Sequence, residues 1–469
     1  MNPKILLINP TFYFLRKLHI LPIGLINLGT IIDQAGFDVK LIDLNAEQPY
    51  GDDFYPCPLT PDKFLQKFKQ YDPDIVGLTS YTENHQLAMK IAEMCKDENE
   101  NIKIIYGGIH ATFQAFECLT KYPYLDVVAR GETEHIIVDL IRGLLGEKRL
   151  EEIPNIFFKY NGIIKYSNLF TLPDVNTIPT PNLSLIKDKY YHSFLLQIEF
   201  SRGCPYNCIF CSLAPLSNRN VRFFPINRII ETLKLYEDWF GNFSFSISDA
   251  NFLFSHKRIY RFLEEVKKSK IELKDWLFES RITSVNRNIL KELEKFNATT
   301  LTLGIEDIHD SILKILGKQQ TFQQIERVLK IIREFNFLVH SNFIIGLPFQ
   351  TKEHMLENIE YSNKLDMCTF PTLTPFPGTP IFSTPEQFGL TILTKDWKLY
   401  TMRDLVMDSA SFPLDQQREI RELAWNHLVR HLHEKDFISY HEKKNYELIL
   451  ELGFEKWLEQ WKKAHSTSW

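Results

Sequence analysis

Leu195-Leu196-Gln197-Ile198-Glu199-Phe200-Ser201-Arg202-Gly203-Cys204-Pro205-Tyr206-Asn207-Cys208-Ile209-Phe210-Cys211 is the stretch on which the reading of this chain turns. Leu195 to Phe200 is a short apolar run and predicts a strand. Three cysteines then crowd into eight residues, at 204, 208 and 211. Three thiolates in one loop can converge on one soft metal centre. A closed structural zinc site wants a fourth ligand, and no fourth cysteine stands beside these three. A cubane iron–sulfur cluster has four irons, so three cysteines would leave one iron open to a small chelating molecule. A structural zinc loop, or three unrelated buried thiols, is the competing reading.

Downstream of the loop, strands and helices alternate. The strands are predicted at Leu195–Phe200, Phe243–Ser248, Trp276–Glu279, Thr300–Ile305, Leu338–Ile345 and Cys368–Thr374. Six such units in series, with no dinucleotide glycine loop, predict an open, partial (β/α)6 barrel over 194–389. Functional groups of barrels sit at the carboxyl ends of the strands. Asp249, Ser280, Arg281, Glu306, Asn342, Gly346 and the run Pro375 to Pro380 fall there. Residues 390–469, rich in charge and in tryptophan (Trp397, Trp425, Trp457, Trp461), predict a C-terminal helical cap.

Upstream, residues 1–146 alternate in the same way, with apolar runs at Lys4–Asn9, Asp38–Leu44, Asp74–Ser80, Ile102–Gly107 and Leu125–Ala129. This pattern predicts a parallel, doubly wound α/β domain of flavodoxin- or Rossmann-like type, and five strands suit the flavodoxin-like order. Residues 147–193 carry Pro154, Pro173, Pro179 and Pro181 and read as a linker with a hairpin at Asn161-Gly162.

The bulk composition sets limits. With 469 residues the chain is too long for one ordinary core. Its 44% apolar and 24% charged residues are those of a globular protein. Fifty-four basic against 59 acidic residues give a net charge of −5, so bulk charge gives no support for a nucleic-acid partner. No stretch has the length and apolarity of a transmembrane helix, and the opening residues lack a secretory pattern. Seven cysteines cannot all pair; one tight cluster among scattered thiols suits a metal site in the reducing cytoplasm. The 36 phenylalanines fit large apolar cores better than a lipid or tetrapyrrole pocket.

The spacing C-x3-C-x2-C resembles the signature of the radical S-adenosylmethionine enzymes. The resemblance implies a [4Fe-4S] cluster on Cys204, Cys208 and Cys211. Its open iron would bind the amino and carboxylate groups of S-adenosylmethionine, and an electron from the cluster would cleave the sulfonium to a 5′-deoxyadenosyl radical. It further implies that Tyr206 or Phe210 wraps the loop over cluster and ligand, and that the strand ends, including Ser280 and Asn342, hold the ligand. Arg281 would fork onto its carboxylate, Glu306 would take ribose hydroxyls or the amino group, and Gly346 with Pro348 would shape the adenine edge.

The N-terminal region is similar to the cobalamin-binding domain attached to many of these enzymes. The runs that carry this are Leu21-Pro22-Ile23-Gly24-Leu25, Gly36-Phe37-Asp38-Val39, Gly77-Leu78-Thr79-Ser80, Gly107-Gly108-Ile109-His110-Ala111-Thr112 and Arg130-Gly131-Glu132-Thr133-Glu134. Ser80, Gly107 and Gly108 then line the slot for the cobalamin tail, where glycines let backbone approach a bulky ligand. One departure stands out. Domains that give cobalt a histidine carry D-x-H-x-x-G after the first strand; here His19 has neither the aspartate nor the glycine. Either cobalt takes no protein nitrogen, which the subfamily tolerates, or this domain holds no cobalamin. His19 and His110 read as surface or packing residues, and Asp43 as a solvated turn carboxylate.

Three functions follow. The first is a cobalamin-dependent methyltransferase acting on an unactivated carbon of a small-molecule substrate, fed by a reductase or by a flavodoxin- or ferredoxin-type donor. The second keeps the radical chemistry but cyclises, rearranges or oxidises without methyl transfer. The third is a non-catalytic iron–sulfur or redox protein.

Overall fold

The computed structural model describes residues 2–11, 20–46, 60–186, 196–435 and 449–465. His19 and the loop from Phe12 lie outside the described residues, as do Cys57 and Leu195. The chain forms two units. The first comprises residues up to 186 with Arg222–Thr232, and the second comprises 196–221 and the chain from Leu233 onward.

The first unit is built on five parallel strands: β1 (Lys4–Asn9), β2 (Asp38–Asp43), β3 (Ile75–Ser80), β4 (Lys103–Gly108) and β5 (Val127–Ala129). They lie in the order β2-β1-β3-β4-β5, the flavodoxin-like order. Helices α1 (Ile23–Gln34), α2 (Pro61–Tyr71), α3 (His85–Glu98), α4 (Ile109–Lys121) and α5 (Ile137–Leu144) connect or follow them. The strands are near-continuous aliphatic runs because both faces are covered; Ile5 through Ile8 are each at most 2% exposed. Phe64 and Phe68 of α2 close the core against Leu6, Ile8 and Val76.

The segment read as a linker does more than cross. Its hairpin, β6 (Ile156–Tyr160) and β7 (Ile163–Tyr166), adds two antiparallel strands to the edge of the sheet beside β5. The turn is the expected Asn161-Gly162, with φ of 50° and 76°, as a two-residue hairpin loop requires. Asp43 is fully buried rather than solvated, and accepts hydrogen bonds from Asn9 Nδ2 at 2.9 Å and Asn45 Nδ2 at 2.9 Å.

The second unit holds six parallel strands: β8 (Leu196–Ile198), β9 (Phe245–Ile247), β10 (Trp276–Ser280), β11 (Ala298–Glu306), β12 (Leu338–Phe343) and β13 (Met367–Thr369). Every strand neighbours its successor in sequence, with no reversal of order. That is the winding of an open barrel, as the sequence predicts. One face of the sheet carries the core: Leu196, Ile198, Phe245, Trp276, Phe278, Leu301, Leu303, Val339 and Phe343 are all buried. Phe245 stacks on Trp276 at 5.5 Å between centroids, and Phe252 meets Trp276 edge-on at 5.9 Å. Much of the phenylalanine content therefore goes into core. Gln197, Glu279, Thr302, Gly304, His340, Asn342 and Thr369 alternate with the core residues and form a polar opposite face.

The C-terminal region departs from the all-helical expectation in its first part. Leu390–Ile392 pairs antiparallel with Met407–Ser409, and only then do helices Leu414–Glu434 and Phe454–His465 follow. Trp425 stacks on Phe454 at 4.4 Å, and Trp397 belongs to a buried cluster with Leu347, Leu373 and Tyr400.

Candidate functional site

The cysteine loop starts from a clamp. Asp249, just beyond β9, is buried and accepts hydrogen bonds from Phe200 N (2.9 Å), Ser201 N (2.8 Å) and Ser201 Oγ. Burial pushes its carboxyl up to about 7 despite these donors. The strand-end aspartate thus fixes where the chain leaves β8. Gly203 follows with φ of 97°; a Cβ there would lie 2.0 Å from Asn220 O. Only glycine fits, so the residue before Cys204 shapes the loop.

Cys204, Cys208 and Cys211 are free thiols and partly exposed. Burial, with a smaller push from neighbouring thiolate charge, raises Cys204 and brings Cys211 up to about 11. Ionised together, these thiolates would repel one another. A cation opposes this from behind. Arg281 lies at the end of β10, with Nη1 donating to Cys208 Sγ at 3.6 Å and its guanidinium 3.7 Å from the Tyr206 ring centroid. Its Nη2 donates to Lys318 O. Its Nε is buried with no hydrogen-bond partner. A buried guanidinium N–H without an acceptor is rare and marks a place where an acceptor belongs.

Glu306 ends β11 in left-handed backbone (φ 66°), where the register with β12 shifts. Non-glycine residues held there store strain that clusters at functional sites. Its carboxylate is buried and pairs with Lys318 Nζ at 3.1 Å. Sequence reading missed Lys318. The one signal for it is Gly317 before it, whose Cβ would lie 2.8 Å from Asn207 O of the cysteine loop.

The other expected residues separate into two groups. Phe210 packs on the apolar cluster of Leu316, Leu347 and Tyr400, below the cysteines. Asn342 faces the polar side of the sheet and accepts from Thr369 Oγ1. Ser280 is buried and donates to Asn251 Oδ1 at 2.8 Å, which also accepts from Arg281 N. Gly346 is buried, with φ of 86°, and its Cβ would meet Gln417 Oε1 at 2.8 Å. Both residues support the strand ends from within.

In the first unit the expected slot residues also divide. Ser80 is 1% exposed, and its hydroxyl turns inward to Tyr106 OH. Gly108 (φ 96°) is required because a Cβ would lie 2.4 Å from Ser80 O, whereas Gly107 has room, with nothing nearer than 3.8 Å. The close approach at Gly108 is thus strand to strand. Tyr106 OH continues to His85 Nδ1 (2.7 Å), and His85 Nε2 to Tyr122 OH (3.2 Å). His110 stacks on His85 at 4.2 Å and is buried, as its packing reading expects. His85, His110 and Cys118 bring ligand atoms within 4.8 Å of one another. Yet both nitrogens of His85 are engaged by tyrosines, and His110 Nδ1 lies 3.3 Å from Thr82 Oγ1. Burial lowers His85 to about 2 and His110 to about 3, so both are neutral.

Comparison with known proteins agrees with this geometry. Residues 16–141 match the B12 binding domain, and residues 198–361 match the Radical SAM superfamily. A protein of Pyrococcus horikoshii named as an uncharacterized methyltransferase is 30% identical over 410 residues, covering 86% of each chain. The chain belongs to the cobalamin-dependent radical S-adenosylmethionine methyltransferase family. Its cofactors are a [4Fe-4S] cluster, S-adenosylmethionine and cobalamin. An anaerobic magnesium-protoporphyrin IX monomethyl ester cyclase of Cereibacter sphaeroides is 26% identical over 335 residues, 68% of this chain and 54% of its own. The structure of TsrM from Kitasatospora setae, with cobalamin and a [4Fe-4S] cluster bound, shares the fold at a TM-score of 0.67 and 17% identity, covering 84% of this chain and 78% of that one. Among the described residues no helix is long and apolar enough to cross a membrane. The orphaned Arg281 Nε and the three free thiols of the loop beside it fit a cluster with an open iron and an anionic ligand.

Proposed function

We propose that this enzyme methylates an unactivated carbon of a small-molecule substrate. When bound, the cluster and S-adenosylmethionine supply an adenosyl radical, and cobalamin supplies the methyl group. The chain's own residues hold and orient. Cys204, Cys208 and Cys211 hold three irons. Arg281 Nε offers its unused N–H to the ligand's carboxylate, while Glu306 accepts from the amino group or ribose hydroxyls. Phe210 and the apolar cluster beneath it keep water from the loop. Gly107 leaves open backbone at the end of β4 for the cobalamin tail. The observation that carries this reading is the buried Arg281 N–H without an acceptor, on a guanidinium that donates to Cys208 Sγ in a loop of three free thiols. Three partly exposed thiols suit the cytoplasm and a one-electron donor of the flavodoxin or ferredoxin class, or a reductase.

The test is anaerobic turnover with methylcobalamin and reductant. Methylation yields both S-adenosylhomocysteine and 5′-deoxyadenosine. 5′-Deoxyadenosine alone supports the second reading, a cyclisation, rearrangement or oxidation without methyl transfer. The missing D-x-H-x-x-G and the similarity to the cyclase favour that alternative. Product mass separates the two, since methylation adds one CH2.

A further inference from the structure

The structure ties Lys318 and the turn before it to the cysteine loop by several independent contacts. Ile209 N donates to Leu316 O at 3.2 Å. Gly317 has no room for a Cβ against Asn207 O. The Lys318 carbonyl accepts from Arg281, whose other nitrogen donates to Cys208 Sγ. The ammonium itself is buried and passes over Gly304, where a Cβ would lie 2.7 Å from Nζ. It ends on Glu306 at 3.1 Å.

We propose that Lys318 sets the reduction potential of the iron–sulfur cluster, with Glu306 as its counterweight. The proposal rests on Cys204, Cys208 and Cys211 being the cluster ligands. Reduction takes one electron from the donor, adds no atom, and places one more negative charge on the cluster and its thiolates. A buried cation stabilises that extra charge and raises the potential, far more than an exposed one would. Glu306 opposes it. When the carboxylate turns to a bound ligand, the ammonium acts on the cluster with less cancellation.

The experiment is a dithionite titration of the full, anaerobically reconstituted chain, followed by electron paramagnetic resonance. Lys318→Met should move the midpoint to more negative potential, Lys318→Arg should leave it near wild type, and Glu306→Gln should move it the other way by a smaller amount. Opposite shifts from the two ends of one pair cannot come from loosened packing. Unmoved midpoints, or shifts of the same sign, overturn the proposal. If Lys318→Met takes up no cluster, the sign of the Glu306→Gln shift decides. A wild-type chain that shows no cluster signal overturns the ligand assignment instead.

Discussion

The ends of the two parallel sheets carry polar groups of opposite character. At the ends of β3 and β4, Ser80, Tyr106, His85 and Tyr122 form a chain in which each member has its partner in the next, and both imidazoles are neutral. At the ends of β10 and β11, Arg281 keeps a buried N–H without an acceptor, Glu306 sits in left-handed backbone, and three thiols remain free. Both clusters hold metal-ligating side chains. The difference lies in satisfaction: a closed polar network holds a core together, while one with valences left over is waiting for something.

That contrast can be broken by experiment. Replacing any of Cys204, Cys208 or Cys211 by Ala should abolish cluster absorbance and S-adenosylmethionine cleavage, with the melting temperature nearly unchanged; a retained cluster would remove the contrast. Gly203→Ala should come next, because strain of roughly 1–3 kcal/mol adds to a clash with Asn220 O. Iron content after reconstitution should fall by more than half. Gly108→Ala is its counterpart in the first unit and should lower the melting temperature, while Gly107→Ala should be tolerated. Equal effects at the two glycines would refute the strand-to-strand reading.

The pH responses should have opposite signs. His85 and His110 are held at about 2 and about 3 when folded, against 6.5 for the ordinary imidazole. Their unfolded forms bind protons first, so the first unit loses stability as pH falls below about 6.5, by up to about 1.4 kcal/mol per pH unit for each histidine. His85→Phe should flatten this slope in denaturant titrations at pH 5 and 7. It should also cost about 1–3 kcal/mol, since two tyrosine hydroxyls lose their partner. Asp249 behaves in reverse. Its carboxyl is raised from 3.8 to about 7, so its contribution is full below pH 3.8 and is lost as pH rises to about 7. Asp249→Asn should remove that shallower trend, and a second-unit slope unchanged in the variant would count against it.

The strands and helices of both sheets were legible because their apolar runs are long and regularly spaced. The alternation in β3 also held the true orientation of Ser80: it shares a face with Val76 and Leu78, both in the core. That period of two sends its hydroxyl inward to Tyr106 OH. Which glycine of Gly107-Gly108 is indispensable depends on the distance to a neighbouring strand, which no local pattern carries. The edge role of the 156–166 hairpin and the antiparallel pair before Leu414 were missed because strands this short and isolated carry little periodic signal. Lys318 was invisible for a different reason. Its partners Glu306 and Arg281, and the loop it backs, come together only when the sheet is laid down.

That last separation bears on how the enzyme matures. The turn that buttresses the thiols is encoded about a hundred residues after them, so a ribosome exposes the cysteines long before it makes their support. Metal offered to such a nascent chain meets a slack loop with no cation behind it. Cluster insertion into a properly shaped seat has to wait until β11 and the turn at Leu316 to Lys318 have been synthesised and docked.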